Sequence, residues 1–298
     1  MYPRAFRYHR AGSLMEAASL LSQLGGEARV LAGGQSLIPL MKLRLSNPAH
    51  LVDIGFIPSL SYMQRQNGNF HIGTMTRHAQ IESSQAATAI PIVHDCAAGI
   101  ADAQVRNMGT LGGSLAEADP TGDWAPVMLA LEAKVITVGP QGGRSIAFSQ
   151  FITDAFTTVL APDELVKEVI VPVPAPRSGG AYLAFKRCAP VYATASVAVQ
   201  LTMHENGVCG KASIILGAVG LMPIAVAEAE PILFGKKIGD KEIESAANAA
   251  SRAAQPHDDM RGSADYKRQL VRALSQEALE IALRRSRGET VETSHHYA

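Results

Sequence analysis

The chain has 298 residues, 47% of them hydrophobic, and its 27 basic side chains balance 27 acidic ones. That length buries a sizeable core and accommodates two domains. Zero formal charge argues against nucleic acid or an anionic membrane as the main partner, because neither would attract the chain over long range.

The amino terminus holds Arg4, Arg7 and Arg10 with no apolar run behind them, so no secretory signal is read there. No stretch reaches the roughly 18 apolar residues of a membrane span, and the expected location is the cytoplasm. The first predicted helix covers Ser13 to Leu24. Ser13 and Glu16 have the spacing of a capping box, Leu14, Ala17, Ala18, Leu21 and Leu24 recur at helical intervals, and Gly25 ends it. A short strand, Arg29 to Ala32, runs into a Gly33-Gly34-Gln35-Ser36 loop. Leu37 to Leu45 is apolar with Pro39 near its start, and His50 to Ile54 and Phe70 to Thr74 read as strands.

Pro91 to Ala101 has helical periodicity, and Asp102 to Gly109 reads as a polar loop. A second loop follows with the glycine pair of Thr110-Leu111-Gly112-Gly113-Ser114. Asp119-Pro120-Thr121-Gly122 is turn chemistry, and Asp123 is placed to cap a helix from Trp124 to Leu131. Lys134 to Val138 and Leu165 to Val171 are strands. Pro172, Pro174, Pro176, Gly179 and Gly180 mark a linker. Beyond it lie three strand-like runs, Tyr182 to Arg187, Ala195 to Met203 and Ala212 to Val219. Helical segments then follow at Pro223 to Phe234, Lys241 to Ala254 and Ala264 to Arg285. His295 and His296 fall in a polar tail expected to be disordered. The reading is α+β, with a border near residue 176 separating domains 1–176 and 177–298.

Cys96, Cys188 and Cys209 are far apart and odd in number, and no C-x-x-C occurs. Neither a disulfide framework nor an iron–sulfur cluster held by this chain alone is expected. The nine histidines form no H-E-x-x-H and no close His/Cys cluster, so no metal ligands are assigned. No acid–base pair stands out as catalytic.

Five Gly-Gly pairs occur, and those at 33 and 112 are distinctive. Each follows an apolar run and precedes a small polar residue and a further apolar segment. Without Cβ atoms, consecutive amides can converge on one oxyanion, and Ser or Thr hydroxyls add donors. The same pattern also fits ordinary tight turns. Neither G-x-x-x-x-G-K-[ST] nor a strand-borne G-x-G-x-x-G is present, which disfavours P-loop and Rossmann folds.

Three runs together resemble the FAD-binding medium subunit of molybdenum hydroxylases, the group of carbon monoxide dehydrogenase and the xanthine dehydrogenase relatives. They are Ala32-Gly33-Gly34-Gln35-Ser36-Leu37-Ile38-Pro39, Arg106-Asn107-Met108-Gly109-Thr110-Leu111-Gly112-Gly113-Ser114-Leu115-Ala116 and Asp119-Pro120-Thr121-Gly122-Asp123. The likeness extends from Met1-Tyr2-Pro3-Arg4 to Asp258-Asp259-Met260-Arg261 near the end. It implies a vanillyl-alcohol-oxidase/PCMH-type, two-lobed FAD domain, then a C-terminal domain with a three-stranded antiparallel sheet and a helical bundle. It also implies non-covalent FAD between two walls, Ala32 to Leu37 and Thr110 to Ser114. Asp123 would meet the nucleotide side, although helix capping alone would also explain it. Leu160 and Lys186 would line the flavin (Lys186 by itself would pass for an exposed strand lysine). Tyr192 would lie beside the isoalloxazine ring, and Trp124 belongs to the helix core near the cofactor. Two departures are visible. Ser114 replaces the usual Asn of the second loop, and Gln35, common in relatives acting on aromatic heterocycles, stands where the carbon monoxide enzymes carry His, which disfavours carbon monoxide as the substrate and leaves the organic substrate open.

The implied function is an electron relay. A large molybdopterin subunit hydroxylates the substrate, a small subunit with two [2Fe–2S] clusters passes electrons on, and FAD on this chain reduces an external acceptor. The usual assembly is a dimer of heterotrimers. The alternative is a stand-alone flavin oxidase or reductase of the same fold, which would turn over without partners. A non-redox scaffold, a third reading, would carry no flavin.

Overall fold

The computed structural model describes residues 2–188 and 191–294 and the backbone of 296–297. Met1, Pro190 beside Tyr192, and His295 lie outside the described residues.

The first lobe is a small parallel sheet. β1 (Arg7–Arg10), β2 (Ala28–Leu31) and β3 (His50–Asp53) pair in the order β1-β3-β2. Helix α1 (Leu14–Leu24) covers it, burying Leu14, Ala17, Ala18 and Leu21 against Val52, Ile54 and Leu60. These positions recur at i, i+3, i+4 and i+7, which is one stripe of a helix. Ser13 Oγ accepts the Glu16 amide at 3.1 Å, as expected of a cap. The second half of the box differs: the Glu16 carboxylate reaches past Ser13 to the Gly12 amide at 2.8 Å. The first glycine loop joins β2 to α2 (Leu37–Lys42).

The second lobe is a five-stranded antiparallel sheet in the order β4-β5-β10-β6-β7, with β4 at Met63–Gln66 and β5 at Asn69–Gly73. Six helices follow: α3 (His78–Glu82), α4 (Gln85–Ala89), α5 (Pro91–Gly99), α6 (Ala103–Met108), α7 (Leu111–Glu117) and α8 (Trp124–Ala130). The chain then returns through β6 (Lys134–Val138), β7 (Ser145–Ala147), the small β8–β9 pair (Ile152–Asp154, Thr157–Thr158) and β10 (Leu165–Pro172). Two expectations are corrected here. The polar loop 102–109 is helix α6, nucleated by Asp102, whose carboxylate accepts the Val105 amide at 2.9 Å. The second glycine pair is likewise the first turn of α7.

β11 (Ser178–Lys186), β12 (Ala195–Met203) and β13 (Cys209–Gly217) form the expected antiparallel meander. Two short edge strands extend it. β14 (Ile224–Ala225) pairs with β13, so only the far end of the helix expected at Pro223–Phe234 is helical, as α9 (Ala229–Leu233). α10 (Asp240–Ala253) and α11 (Ala264–Ser286) pack on the sheet. β15 (His296–Tyr297) pairs in parallel with the other edge, Phe185 opposite His296. The expectation of a disordered end at His296 is therefore corrected: open amides on β11 capture the tail backbone.

Gly179 and Gly180 also differ from their linker role, since both lie inside β11. A Cβ on Gly179 would meet the α11 backbone at Ala282 and 3.0 Å from Arg285 C, and one on Gly180 would lie 3.1 Å from Ile92 Cβ. They are glycines because α11 and α5 cross β11 closely. The largest buried cluster is continuous across this junction, joining Phe70, Ile92, Trp124 and Val169 to Tyr182 and Ala198. Among the described residues, no helix is long and apolar enough to cross a membrane.

Candidate nucleotide-binding cleft

A cleft of about 380 Å³ opens where the first glycine loop faces the start of α7, with the segment Val191–Tyr192 on its rim. Of the residues expected at the site, Ala32, Gly33, Gly34, Gln35, Ser36, Leu37, Thr110, Gly113, Ser114, Asp123 and Tyr192 line it. Leu111, Gly112, Leu160 and Lys186 do not.

The two loops touch. A Cβ on Gly33 would overlap Met108 O and sit 2.9 Å from Gly109 Cα, and one on Gly113 would lie 3.6 Å from Ala32 Cβ. Gly34 has φ +73°, a conformation that glycine adopts without strain. Within the first loop, Gln35 Nε2 donates to Gly33 O at 3.2 Å. The amides of Gly33, Gly34, Gln35 and Ser36 find no acceptor among the described residues. Unpartnered amides converging at a loop make an anion nest.

The second pair is built differently. Thr110 caps α7 and its Oγ1 accepts the Gly113 amide at 3.2 Å. The Leu111 amide donates to Thr76 O at 3.0 Å, Gly112 to Thr74 O at 2.9 Å and Ser114 to Thr110 O at 3.0 Å. Its amides are therefore committed within the protein, and this wall offers the cleft side chains and a Cβ-free surface. Gly112 serves packing: its Cβ would lie 2.7 Å from Thr74 Cβ.

Asp123 precedes α8 with helical backbone angles and makes no capping bond, which corrects the capping role. Its buried carboxylate accepts the Tyr182 hydroxyl at 2.7 Å and pairs with Lys186 Nζ at 3.1 Å. Lys186 is only 1% exposed and also donates to Gly99 O at 2.8 Å. The exposed strand lysine is thus corrected to a buried post joining β11, the end of α5 and the start of α8. A buried carboxylate requires such a partner. Burial and the Asp123 charge hold the Tyr182 phenol far above its ordinary range, so it stays a donor. Leu160 packs half-buried against the second-lobe core.

Tyr192 is 45% exposed, and burial of its hydroxyl end together with Asp119 raises its pKa, partly offset by hydrogen bonding with Ser36. Glu117 also faces the cleft, its carboxyl raised first by burial and then by Asp119. Among the described lining residues there is no lysine or arginine.

Sequence reasoning missed His78, which opens α3 and lines the cleft floor. Trp124, fully buried as expected, donates Nε1–H to His78 Nδ1 at 3.0 Å. Burial pulls the imidazole pKa down to about 4, with Asp123 opposing and Arg106 adding to the shift. The one hint in the sequence was Trp124 itself, since a buried indole N–H needs an acceptor.

These residues fit an extended dinucleotide: a nest of open amides on one side, a wall opposite that is open at Gly113 between Thr110 and Ser114, and carboxylates able to accept ribose hydroxyls.

Comparison with known proteins agrees. Residues 4–174 match the family model described as the FAD binding domain in molybdopterin dehydrogenase. Residues 180–282 match the CO dehydrogenase flavoprotein C-terminal domain. The carbon monoxide dehydrogenase medium chain of Afipia carboxidovorans is 39% identical over 288 residues, covering 96% of this chain and 100% of the relative. The 6-hydroxypseudooxynicotine dehydrogenase complex subunit alpha of Paenarthrobacter nicotinovorans is 38% identical, covering 96% and 97%. A crystal structure of Cu,Mo-CO dehydrogenase in its cyanide-inactivated form superposes with a TM-score of 0.92 at 38% identity, over 96% of this chain and 100% of that one. The fold is therefore the two-lobed PCMH-type FAD domain with its C-terminal companion, and the chain is an oxidoreductase subunit belonging to the family of FAD-binding medium subunits of molybdenum hydroxylases.

Proposed function

We propose that the chain holds FAD non-covalently in this cleft and passes electrons from the [2Fe–2S] clusters of a small partner subunit to an external acceptor. Substrate oxidation takes place at molybdopterin in a large partner subunit. The observation that carries the cofactor's place is the run of open amides from Gly33 to Ser36, set against the second loop at Gly109. Bound FAD supplies the electron-transfer chemistry, and the chain's own residues hold and orient it. The Ala32–Leu37 segment takes the phosphates, Thr110, Gly113 and Ser114 form the opposite wall, and Leu111 and Gly112 keep that wall in place. Asp123 lines the cleft and meets the nucleotide side of FAD, Lys186 fixes the floor from behind through its pair with Asp123, and Leu160 contributes through the adjoining core.

Tyr192 covers the flavin and limits solvent access. Tyr192→Ala should change the flavin reduction potential or its reoxidation rate, and unchanged values would reject this role. We divide the chain at residue 176, between β10 and β11, into 1–176 and 177–298. The working complex is a cytoplasmic dimer of heterotrimers.

The test is a visible spectrum of the chain purified alone, then chromatography of whatever flavin acid releases. Intact FAD in stoichiometric amount, with no turnover of donor substrates until the partner subunits are added, is the expected result. Turnover by the chain alone would replace the relay with a free-standing flavoenzyme. Failure to take up FAD even with the partners present would remove the cofactor reading.

A further inference from the structure

An anionic ligand in this cleft meets Glu117, Asp119 and Asp123 but no lysine or arginine among the described lining residues. Neutral donors must therefore hold it, and the amides from Leu111 to Ser114 are already committed. This makes the orientation of each remaining donor important. His78 is one such donor, and its protonation pattern is fixed by a neighbour.

The indole nitrogen of Trp124 carries a proton and no available lone pair, so it can only donate. Its bond to His78 Nδ1 requires that nitrogen to be the acceptor. In a neutral imidazole the single proton then resides on Nε2. The ring stays neutral because it is 4% exposed, and the charges nearest it oppose each other: Asp123 at the start of α8, and Arg106 on α6, itself paired with Glu82 at 3.1 Å. Nε2 abuts Gly109, where an added Cβ would lie 2.7 Å from it. Gly109 is also the residue that Gly33 touches. The Nε2–H therefore sits at Gly109, where the two loops meet, and has no protein acceptor among the described residues.

We propose that His78 donates its Nε2–H to the phosphate bridge of the bound dinucleotide, with Trp124 holding the ring in the tautomer that can do so. This rests on the cleft taking FAD. The arrangement adds a donor to an acidic cleft without adding a cation. It also explains why the only tryptophan of the chain lies under the cleft.

The experiment titrates FAD into the deflavinated full-length protein, followed by flavin fluorescence, and records the melting temperature of each apo variant. His78→Asn keeps an oxygen near the Nδ1 position for Trp124 but withdraws the donor. His78→Gln carries an N–H near the Nε2 position. FAD affinity should fall about tenfold to a hundredfold in His78→Asn, as for loss of a hydrogen bond to a charged group, and recover to within about threefold in His78→Gln. Inorganic pyrophosphate should displace FAD from wild type and be about tenfold less effective on His78→Asn. Trp124→Phe, which frees the tautomer, should fall between wild type and His78→Asn. Equal affinity in wild type and His78→Asn would overturn the proposal. So would equal losses in the Asn and Gln variants that follow their melting temperatures, or a pyrophosphate effect untouched by His78→Asn. Wild-type protein that takes up no FAD, alone or with partners, would overturn the cofactor reading first and this proposal with it.

Discussion

Gly33→Ala should abolish flavin retention and leave the chain folded, whereas Gly112→Ala should chiefly destabilise the fold. The difference lies in what each new methyl meets. At Gly33 it overlaps the carbonyl of Met108 and comes within 2.9 Å of Gly109 Cα, both backbone atoms that no rotamer change can move. The collision is relieved by parting the two loops, which sit at the cleft surface and are half-buried around residues 32–36. Parting them spoils the convergence of the amides from Gly33 to Ser36. FAD affinity should then drop by more than about a hundredfold, the equivalent of two charge-assisted hydrogen bonds. At Gly112 the methyl lands on the Thr74 side chain, 2.7 Å from its Cβ and 3.0 Å from its Cα, in a buried helix start. Overpacking of this kind costs about 1–3 kcal/mol, and strain on the Gly112 amide bond to Thr74 O adds to it. Flavin per chain after gel filtration and the apo melting temperature separate the two variants. Flavin retained by Gly33→Ala with wild-type affinity would mean that the close contact of the loops does not set the nest.

The parts of this fold that were readable in the sequence are those governed by local rules. Helix α1 is one example: its apolar stripe, its Ser13 cap and its stop at Gly25 each follow from neighbours in the chain. The first glycine loop was readable for the same reason. Helices α6 and α7 were not. A polar run and a Gly-Gly pair both lower helix propensity, and tertiary contacts overrode it, the Leu111 and Gly112 amides finding Thr76 and Thr74. In hindsight Asp102, three residues before Val105, was a legible cap. The cleft came from the resemblance, because spacing alone left the glycine pairs open between a nest and a turn. Lys186 misled because β11 is buried along both faces, so the alternation that marks an exposed strand position is absent. Its partner Asp123 lies 63 residues away, a pairing that periodicity does not encode. His78 escaped for the same reason, its partner Trp124 being 46 residues distant.

The second large effect is expected at Arg285, far from either glycine loop in sequence. Its guanidinium grips Asp95 at 2.6 and 3.0 Å and also donates to Gly180 O at 2.7 Å and Val291 O at 2.6 Å. Asp95, on α5, has a fully buried side chain and accepts the Thr293 hydroxyl at 2.6 Å and the Tyr182 amide at 3.1 Å. The network thus joins α5, β11, α11 and the tail. Arg285→Met would leave a buried carboxylate without its cation, which costs about 3–5 kcal/mol. Adding Asp95→Asn should recover part of that loss, because the uncompensated charge is then gone. Urea denaturation of the two single variants and the double variant measures the coupling, expected at about 2 kcal/mol. A loss under about 1 kcal/mol in Arg285→Met would place the pair among ion pairs that contribute little. The folded fraction of Arg285→Met should still bind FAD, since Asp123 keeps Tyr182 and Lys186 as partners on the same strand. Flavin loss at denaturant concentrations where the protein remains folded would instead show that β11 transmits the strain from the Asp95 end to the cleft floor.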